Sequence, residues 1–325
     1  MRANLSRPCF DERPIGSISA LARKLGCNRR DLVRIARRAD HLYRPGKPVV
    51  KEDGSIRRTY DARPPLKRIQ RRILERLLRK VNYPMYLQGG IRDETSPRSY
   101  IRDAARHAGK RIVITEDITA FFPSIKAPLV FNIWKHVFNF PDEVADCLTK
   151  LTTRRGEVPQ GSSTSSYLAN LVFWNCEAKV HNRLAHQGIE YGRFIDDITL
   201  SSEHKLSNRT KSAAISTVIG MMAAKGLRPK RPKHKIQPNS GVMEVHGLNV
   251  NAAHPTVPRW KRANLRALVH RLEALSGESR YTDEYRKLFQ SASVRVGQLK
   301  QMHPHEAHRL AARLRRVRPA RLDQE

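Results

Sequence analysis

The chain has 325 residues, 62 of them Lys or Arg against 30 Asp or Glu, for a net charge of +32 and an isoelectric point near 10.8. Such a surplus repels itself unless a polyanion neutralises it, which points to nucleic acid ahead of an anionic membrane surface. No stretch is apolar and long enough to span a bilayer, no signal-peptide core opens the chain, and Cys9, Cys27, Cys147 and Cys176 lack CxxC spacing, so a spanning protein, a disulfide scaffold and a zinc site are set aside and a reduced, cytoplasmic setting is expected.

The length allows two or three closely associated subdomains. Ser17–Lys24 and Arg29–Arg38 have the spacing of two short helices around Gly26, with Ser17 and Asn28 as N-caps. The pair superficially resembles a helix-turn-helix, which leaves a DNA-binding regulator open beside a helical appendage on a larger domain. Asp53-Gly54 between extended segments is a hairpin signal. That ribbon carries Lys51, Arg57 and Arg58, either over a phosphate chain or as a solvated basic face. Pro64-Pro65 opens a helix expected to run through Lys80, with Leu66, Ile69, Ile73, Leu74 and Leu77 as its apolar stripe. Its cations, Lys67, Arg68, Arg71, Arg72, Arg76, Arg79 and Lys80, face one acid, Glu75. A helix tracking a nucleic-acid backbone would look so, and so would a solvated face.

Beyond Gln88-Gly89-Gly90, Ile101–His107 reads as helical and Arg111–Thr115 as a β-branched strand ending in Glu116-Asp117. An acid at the end of an apolar strand suits a metal ligand or a helix cap. Leu129–Lys150 is mostly helical in pattern. In the small-residue loop Val158–Ser166, Gly161 lets a ligand approach the backbone and Gln160 offers a donor and an acceptor; the helix Tyr167–Leu184 follows. Tyr191–Leu200 alternates with period two about Asp196-Asp197, which suits a hairpin with its acids at or beside the turn. Adjacent carboxylates among apolar neighbours repel each other unless cations compensate, so the pair is either a metal site or an exposed turn. A helix Lys211–Lys225 closed by Gly226, a basic cluster Lys230–Lys235 and a strand Val242–Val250 containing Gly247 come next. From Arg259 onward the pattern is helical and basic, with Leu265, Leu268, Val269 and Leu272 at helix spacing, so a separate lobe is expected; the tail Arg309–Arg321 is Arg-rich.

One acid on a strand and two on a hairpin is the layout of a polymerase palm. Attack of a 3′-hydroxyl on a triphosphate builds negative charge on the attacking oxygen, the transferring phosphoryl group and the leaving pyrophosphate. Two Mg²⁺ roughly 3.5–4 Å apart stabilise that charge, and Asp117, Asp196 and Asp197 are the acids that would hold them.

Asp117-Ile118-xx-Phe121-Phe122-Pro123-Ser124-Ile125, Pro159-Gln160-Gly161-xx-Thr164-Ser165 with Leu168-Ala169-Asn170-Leu171, and Phe194-Ile195-Asp196-Asp197 resemble the successive motifs of reverse transcriptases, most of all the bacterial retron-type enzymes. Tyr43-Arg44 with Gly54-x-x-Arg57, Leu66-Lys67-x-Ile69-Gln70, Gln88-Gly89-Gly90 and Val245-His246-Gly247-Leu248-Asn249-Val250 extend the resemblance from Arg44 to Val250. It implies an α+β chain in the right-hand polymerase fold, with fingers, a palm of antiparallel sheet plus helices, and a helical thumb. The expected limits are an N-terminal helical extension over 1–42, fingers over 43–105, palm over 106–250 with a fingers insertion near 126–158, and a basic thumb over 251–325.

The resemblance also implies roles. Asp117 and Asp196 would be the principal metal ligands, with Asp197 in support and the Ile118 carbonyl as a further ligand, for two Mg²⁺ that Mn²⁺ can replace. Ala120 and Phe121 amides would bind triphosphate, Phe122 would crowd a ribose 2′-hydroxyl, Gln160 and Gly161 would pack near the nucleotide, and Arg57 would meet its phosphates. Lys233, with Lys235 close behind, matches the lysine that protonates pyrophosphate. Nucleic-acid contacts are expected at Lys67, Arg71, His107, His246, Arg259 and Lys261. The partners implied are a structured noncoding RNA, an RNA–DNA hybrid, dNTPs and an effector protein, in antiphage defence inside a bacterial cytoplasm. Three motifs depart from the family pattern. The usual Tyr-Ala before the two acids is Phe194-Ile195, the retron Asn-Ala-x-x-His is Asp103-Ala104-Ala105-Arg106-His107, and Val-Thr-Gly is Val245-His246-Gly247. In retrons the last two elements are tied to recognition of the cognate RNA. The departures keep open a stand-alone defence reverse transcriptase with untemplated or protein-primed synthesis.

Overall fold

The computed structural model describes residues 6–50, 54 and 56–320; Lys51 and Asp53 of the expected ribbon and Arg321 of the tail lie outside them. After a two-residue strand β1 (Cys9–Phe10), helices α1 (Ile18–Leu25) and α2 (Arg29–Arg37) form where the caps direct. The Ser17 hydroxyl accepts from the Ala20 amide at 3.2 Å, and the Asn28 side chain accepts from the Asp31 amide at 2.7 Å. Leu21, Leu25 and Leu32 are wholly buried in the main core, so the helix pair is a wall of that core.

Strands β2 (Tyr43–Pro45), β3 (Val49–Val50), β4 (Ile56–Arg57) and β5 (Tyr60–Ala62) make two small ribbons, β2 with β5 and β3 with β4. Helix α3 (Pro64–Arg76) is shorter than expected. Leu77 leaves helical geometry at φ −125°, ψ −66°, and a 3₁₀ turn over Leu78–Lys80 lets both Leu77 and Leu78 reach the core. Part of its cationic face also serves another purpose. Arg72 donates to the Leu25 and Gly26 carbonyls at 2.9 and 2.7 Å, and Arg76 donates to the Lys24 carbonyl at 2.6 Å. These two arginines satisfy the open end of α1.

After β6 (Val81–Asn82), which pairs with β1, come α4 (Tyr100–Arg106), β7 (Ile112–Asp117) and the short α5 (Phe121–Ser124). The expected helix Leu129–Lys150 is two, α6 (Ala127–His136) and α7 (Asp142–Thr152), separated by Asn139 at φ 53° and by Pro141. The expected Tyr167–Leu184 is likewise α8 (Ser165–Leu171) and α9 (Glu177–Ala185). Then follow β8 (Ile189–Phe194), β9 (Asp197–Ser202), α10 (Asn208–Ala223) and β10 (Lys235–Pro238). Four strands form one antiparallel sheet in the order β10-β7-β9-β8, and α4 and α9 pack on β8. The expected strand Val242–Val250 is a tight hairpin, β11 (Glu244–Val245) and β12 (Leu248–Asn249). His246 and Gly247 both have positive φ, 51° and 75°, and turn the chain back on itself.

Helices α11 (Arg259–Leu275), α12 (Asp283–Lys300) and α13 (Pro304–Arg316) bury Val269, Leu272 and Tyr285 in a core of their own. A third small core, including Ala104, Val113, Val245 and Leu248, joins α4, the sheet and the β11–β12 hairpin. Among the described residues no helix is long and apolar enough to cross a membrane. The α+β class stands.

Candidate active site

The register of the sheet brings the three acids together. Asp117, the last residue of β7, lies opposite Asp197, the first of β9, and the Ile118 amide donates to the Asp196 carbonyl at 3.2 Å. The β8–β9 turn is therefore Ile195-Asp196, with Asp197 already in the strand. Ile195 sits at φ 60°, a region β-branched residues avoid and whose occupation costs on the order of 1–3 kcal/mol. The surroundings hold it there. A Cβ on Gly89 would lie 2.8 Å from Ile195 Cγ1, and one on Gly90 would lie 2.7 Å from Ile195 Cδ1. The Gln88-Gly89-Gly90 strap thus makes room for the isoleucine that replaces the usual alanine. It is itself anchored by Gln88 N–H to the Arg193 carbonyl at 2.9 Å and by Asn170 Nδ2 to the Gly89 carbonyl at 2.7 Å.

Burial pushes the Asp196 carboxyl up to about 6, with the charges of Asp197 and Asp117 adding to the rise. Burial also raises the Asp117 carboxyl, against the pull of the hydrogen bond and charge of Lys233. The Lys233 ammonium lies 2.7 Å from Asp117 Oδ2, and that hydrogen bond leads the rise in the lysine's own pKa. A protein cation thus compensates part of the charge, and the acids hold hard oxygen donors suited to Mg²⁺ or Mn²⁺. Among the described residues no three His, Cys, Asp or Glu side chains are already gathered around one point, and Lys233 engages one oxygen of Asp117, Oδ2. Ile118 is buried beside them.

The other expected residues fall in three places. Ala120, exposed and left-handed at φ 45°, opens α5 just past the strand end, where Phe121 is buried and Phe122 partly exposed. The Gln160 carbonyl accepts from the Tyr60 amide at 2.7 Å, and a Cβ on Gly161 (φ 99°) would lie 3.0 Å from the Tyr60 carbonyl oxygen. This joint docks the small ribbons on the Gln160-Gly161 loop, and the charge of exposed Arg57 is felt at Asp196. Farther off, Arg71 and Arg259 are exposed, Lys67 pairs with Asp61 at 2.7 Å, and Lys261 donates to the Gly247 carbonyl at 2.8 Å.

His107 is a correction. It has no exposed surface, its Nδ1 lies 2.7 Å from Ser201 Oγ, and burial lowers its pKa to about 4. A Cβ on Gly192 would lie 2.9 Å from its Nε2. His107 is packed against the backbone of β8, with no surface open to solvent where a nucleic acid was expected to meet it. His246 is drawn inward as well. Its Nε2 lies 2.7 Å from Asp103 Oδ2, its Nδ1 3.8 Å from Asp197 Oδ2, and its ring 4.9 Å from that of Phe194. Burial opposes its charge, but the hydrogen bond to Asp103 and the charges of Asp103 and Asp197 prevail and raise its pKa to about 9.

Sequence reasoning passed over Arg193 and Glu177. Arg193, wholly buried, donates to Glu177 through Nε at 2.6 Å and Nη2 at 2.8 Å, and through Nη1 to the Ile195 carbonyl at 3.0 Å. The Tyr191 hydroxyl donates to the same Glu177 at 2.7 Å. The available signal was an arginine between Tyr191 and Phe194, next to the paired acids. Gln70 was read only as part of a motif; buried, it ties Tyr43, the Leu151 carbonyl and Ser162 together.

Comparisons with known proteins agree with this geometry. The family model described as reverse transcriptase (RNA-dependent DNA polymerase) matches residues 49–250. The reverse transcriptase of retron Se72 from Salmonella heidelberg is 35% identical over 318 residues, covering 97% of this chain and 83% of that one. That of retron Ec48 from Escherichia coli is 30% identical over 317 residues, covering 94% and 77%. Among solved structures, telomerase from Candida albicans in complex with a TWJ fragment of telomeric RNA aligns with 63% of this chain and 46% of its own, at 10% identity and a TM-score of 0.39. That likeness carries no weight here.

Proposed function

We propose that this chain, which belongs to the retron reverse transcriptases and is therefore an RNA-directed DNA polymerase, makes DNA from a structured noncoding RNA by nucleotidyl transfer assisted by two divalent cations. The observation that carries this reading is the pairing of Asp117 with Asp197 at one sheet end, with Asp196 in the adjoining turn and Lys233 2.7 Å from Asp117. The limits fingers 43–105, palm 106–250 and thumb 251–325 belong to the same proposal.

Asp117 and Asp196 bind the cations, with Asp197 and the Ile118 carbonyl in support. When bound, the cations supply charge to the attacking and leaving oxygens of the in-line displacement. Ala120 and Phe121 amides orient the triphosphate, and Arg57, on β4 of its ribbon, meets the phosphates. Lys233, which lies beside Asp117, would give a proton from its ammonium to the departing pyrophosphate. Gln160 and Gly161 flank the nucleotide, and Lys67, Arg71, Arg259 and Lys261 supply charge for the template–product hybrid. An effector protein and a role against phage extend the proposal from the retron kinship.

The full chain is expected to extend a DNA primer on an RNA template with dNTPs and Mg²⁺, with Mn²⁺ as a substitute, and to stop on chelation with EDTA. Sequencing of co-purifying nucleic acid is expected to give a short RNA joined to DNA. RNA-free protein that makes untemplated polymer would sink the templated reading. A second prediction concerns sugar choice. Phe122→Ala is expected to raise ribonucleotide incorporation relative to dNTP by roughly 10–100-fold, the range one steric contact supplies. Unchanged discrimination in paired kcat/KM measurements would remove Phe122 from the nucleotide pocket.

A further inference from the structure

Two of the departures from the family pattern meet a third in space. Asp103 lies on α4, Phe194 ends β8, and His246 caps the β11–β12 hairpin, 143 residues from Asp103 in the chain. Yet His246 touches both, through the 2.7 Å contact to Asp103 and the ring packing on Phe194. Its second ring nitrogen faces Asp197 at 3.8 Å. The ring is thus set between two carboxylates, hydrogen-bonded to Asp103 and within ion-pair distance of Asp197.

The frame around this histidine is stiff. Asp103 has no exposed surface, and its Oδ1 would lie 2.7 Å from a Cβ on Gly192, so only glycine at that point of β8 lets the acid sit so close to the strand. From the other side, Lys261 of α11 donates to the Gly247 carbonyl and pins the left-handed His246-Gly247 turn. The Asp197 side chain, by contrast, is 44% exposed. A buried ring thus faces a half-exposed carboxylate of the candidate site.

We infer that His246 is a positioning residue for nucleotidyl transfer, anchored by Asp103 and packed on Phe194 so that it fixes the carboxylate of Asp197 beside the Asp196 turn. The inference rests on the polymerase reading of Asp196-Asp197. It replaces the expectation that His246 contacts nucleic acid, and it makes the exchanges at 103, 194 and 246 one coordinated change. Asp103 acts on Asp197 through His246.

The test separates structure from positioning. His246→Thr strips the buried Asp103 of its hydrogen-bond partner, so both Tm and kcat are expected to fall, kcat by roughly 10–100-fold, as for a misplaced catalytic group. D103N/H246T removes that unpaired charge, so Tm, measured by thermal melting in EDTA, is expected to return to within a few degrees of wild type. Yet kcat stays depressed, because Asp197 still lacks the ring it faces. The KM for dNTP and the affinity for an RNA–DNA hybrid, measured by anisotropy in EDTA, are expected to stay within about twofold. Recovery of kcat together with Tm would reduce His246 to a structural pair with Asp103. Weakened hybrid binding at preserved kcat would make it a nucleic-acid contact, and either result overturns the inference while leaving the polymerase reading intact. A wild-type chain without incorporation would overturn that reading and this inference with it.

Discussion

Asp196→Asn is expected to lower dNTP incorporation by a factor on the order of 10³ or more, about 4 kcal/mol of transition-state stabilisation, and to leave the metal-free protein more stable than wild type. The two effects share one cause. Asp196 is held between Asp117 and Asp197 in a partly buried turn, where its carboxyl titrates at about 6. In an unfolded chain it would titrate near 3.8. An acid whose pKa is higher folded than unfolded binds more protons in the native state across that window, so stability falls as pH rises from about 4 to about 6. Above it the metal-free protein carries the full burden, roughly 1–3 kcal/mol once solvent screening is allowed for. The asparagine has no charge to bury, so at pH 7 in EDTA the variant should unfold at a higher denaturant concentration. In Mg²⁺ the advantage should shrink, since the cation relieves the same repulsion in wild type only. Primer extension and urea unfolding in parallel check both halves. Near-normal incorporation by D196N would remove the acid from catalysis, and equal stability in EDTA would remove the repulsion.

The three acids were legible because each sits in a short run whose contents depend on neighbours in sequence: a β-branched strand before Asp117 and alternating apolar residues around Asp196-Asp197. What those runs could not carry was how they are framed. Phe194, Asp103 and His246 each stood out as a departure, but their meeting depends on α4 and the β11–β12 hairpin packing through a shared core. Arg72 and Arg76 looked like their exposed neighbours on α3 because a cation facing a helix's open carbonyls has the same spacing as one facing solvent. The apolar period of α3 ran on through Leu77 and Leu78, both buried, since periodicity reports which side chains point inward and not where backbone angles change. His107 misled for a related reason. Whether a histidine reaches solvent depended on Gly192, 85 positions later, leaving room for it against β8.

The buried Arg193–Glu177 pair leads to the second large effect. Both side chains are at most 1% exposed, and the guanidinium makes two hydrogen bonds to the carboxylate while a third reaches the Ile195 carbonyl. Two charges taken wholly out of water gain little net stability as a pair, but removing one partner leaves the other uncompensated, at a cost of about 3–5 kcal/mol. Arg193→Met is therefore expected to destabilise the chain by about that amount. Replacing both partners, as in R193M/E177M, should recover much of the loss, because an apolar pair of similar volume is often neutral in such a site. Activity should not recover in step. Ile195 sits in left-handed geometry at φ 60°, and the Arg193 bond to its carbonyl is one of the restraints that hold it there. Without that bond the turn can relax toward ordinary backbone angles, which moves the Asp196 carboxylate away from Asp117. The double variant should thus fold nearly as well as wild type and still copy RNA more slowly, by roughly tenfold or more, as small displacements of catalytic groups do. Full activity in a stable double variant would show that the Gly89-Gly90 strap and the sheet register hold the turn by themselves.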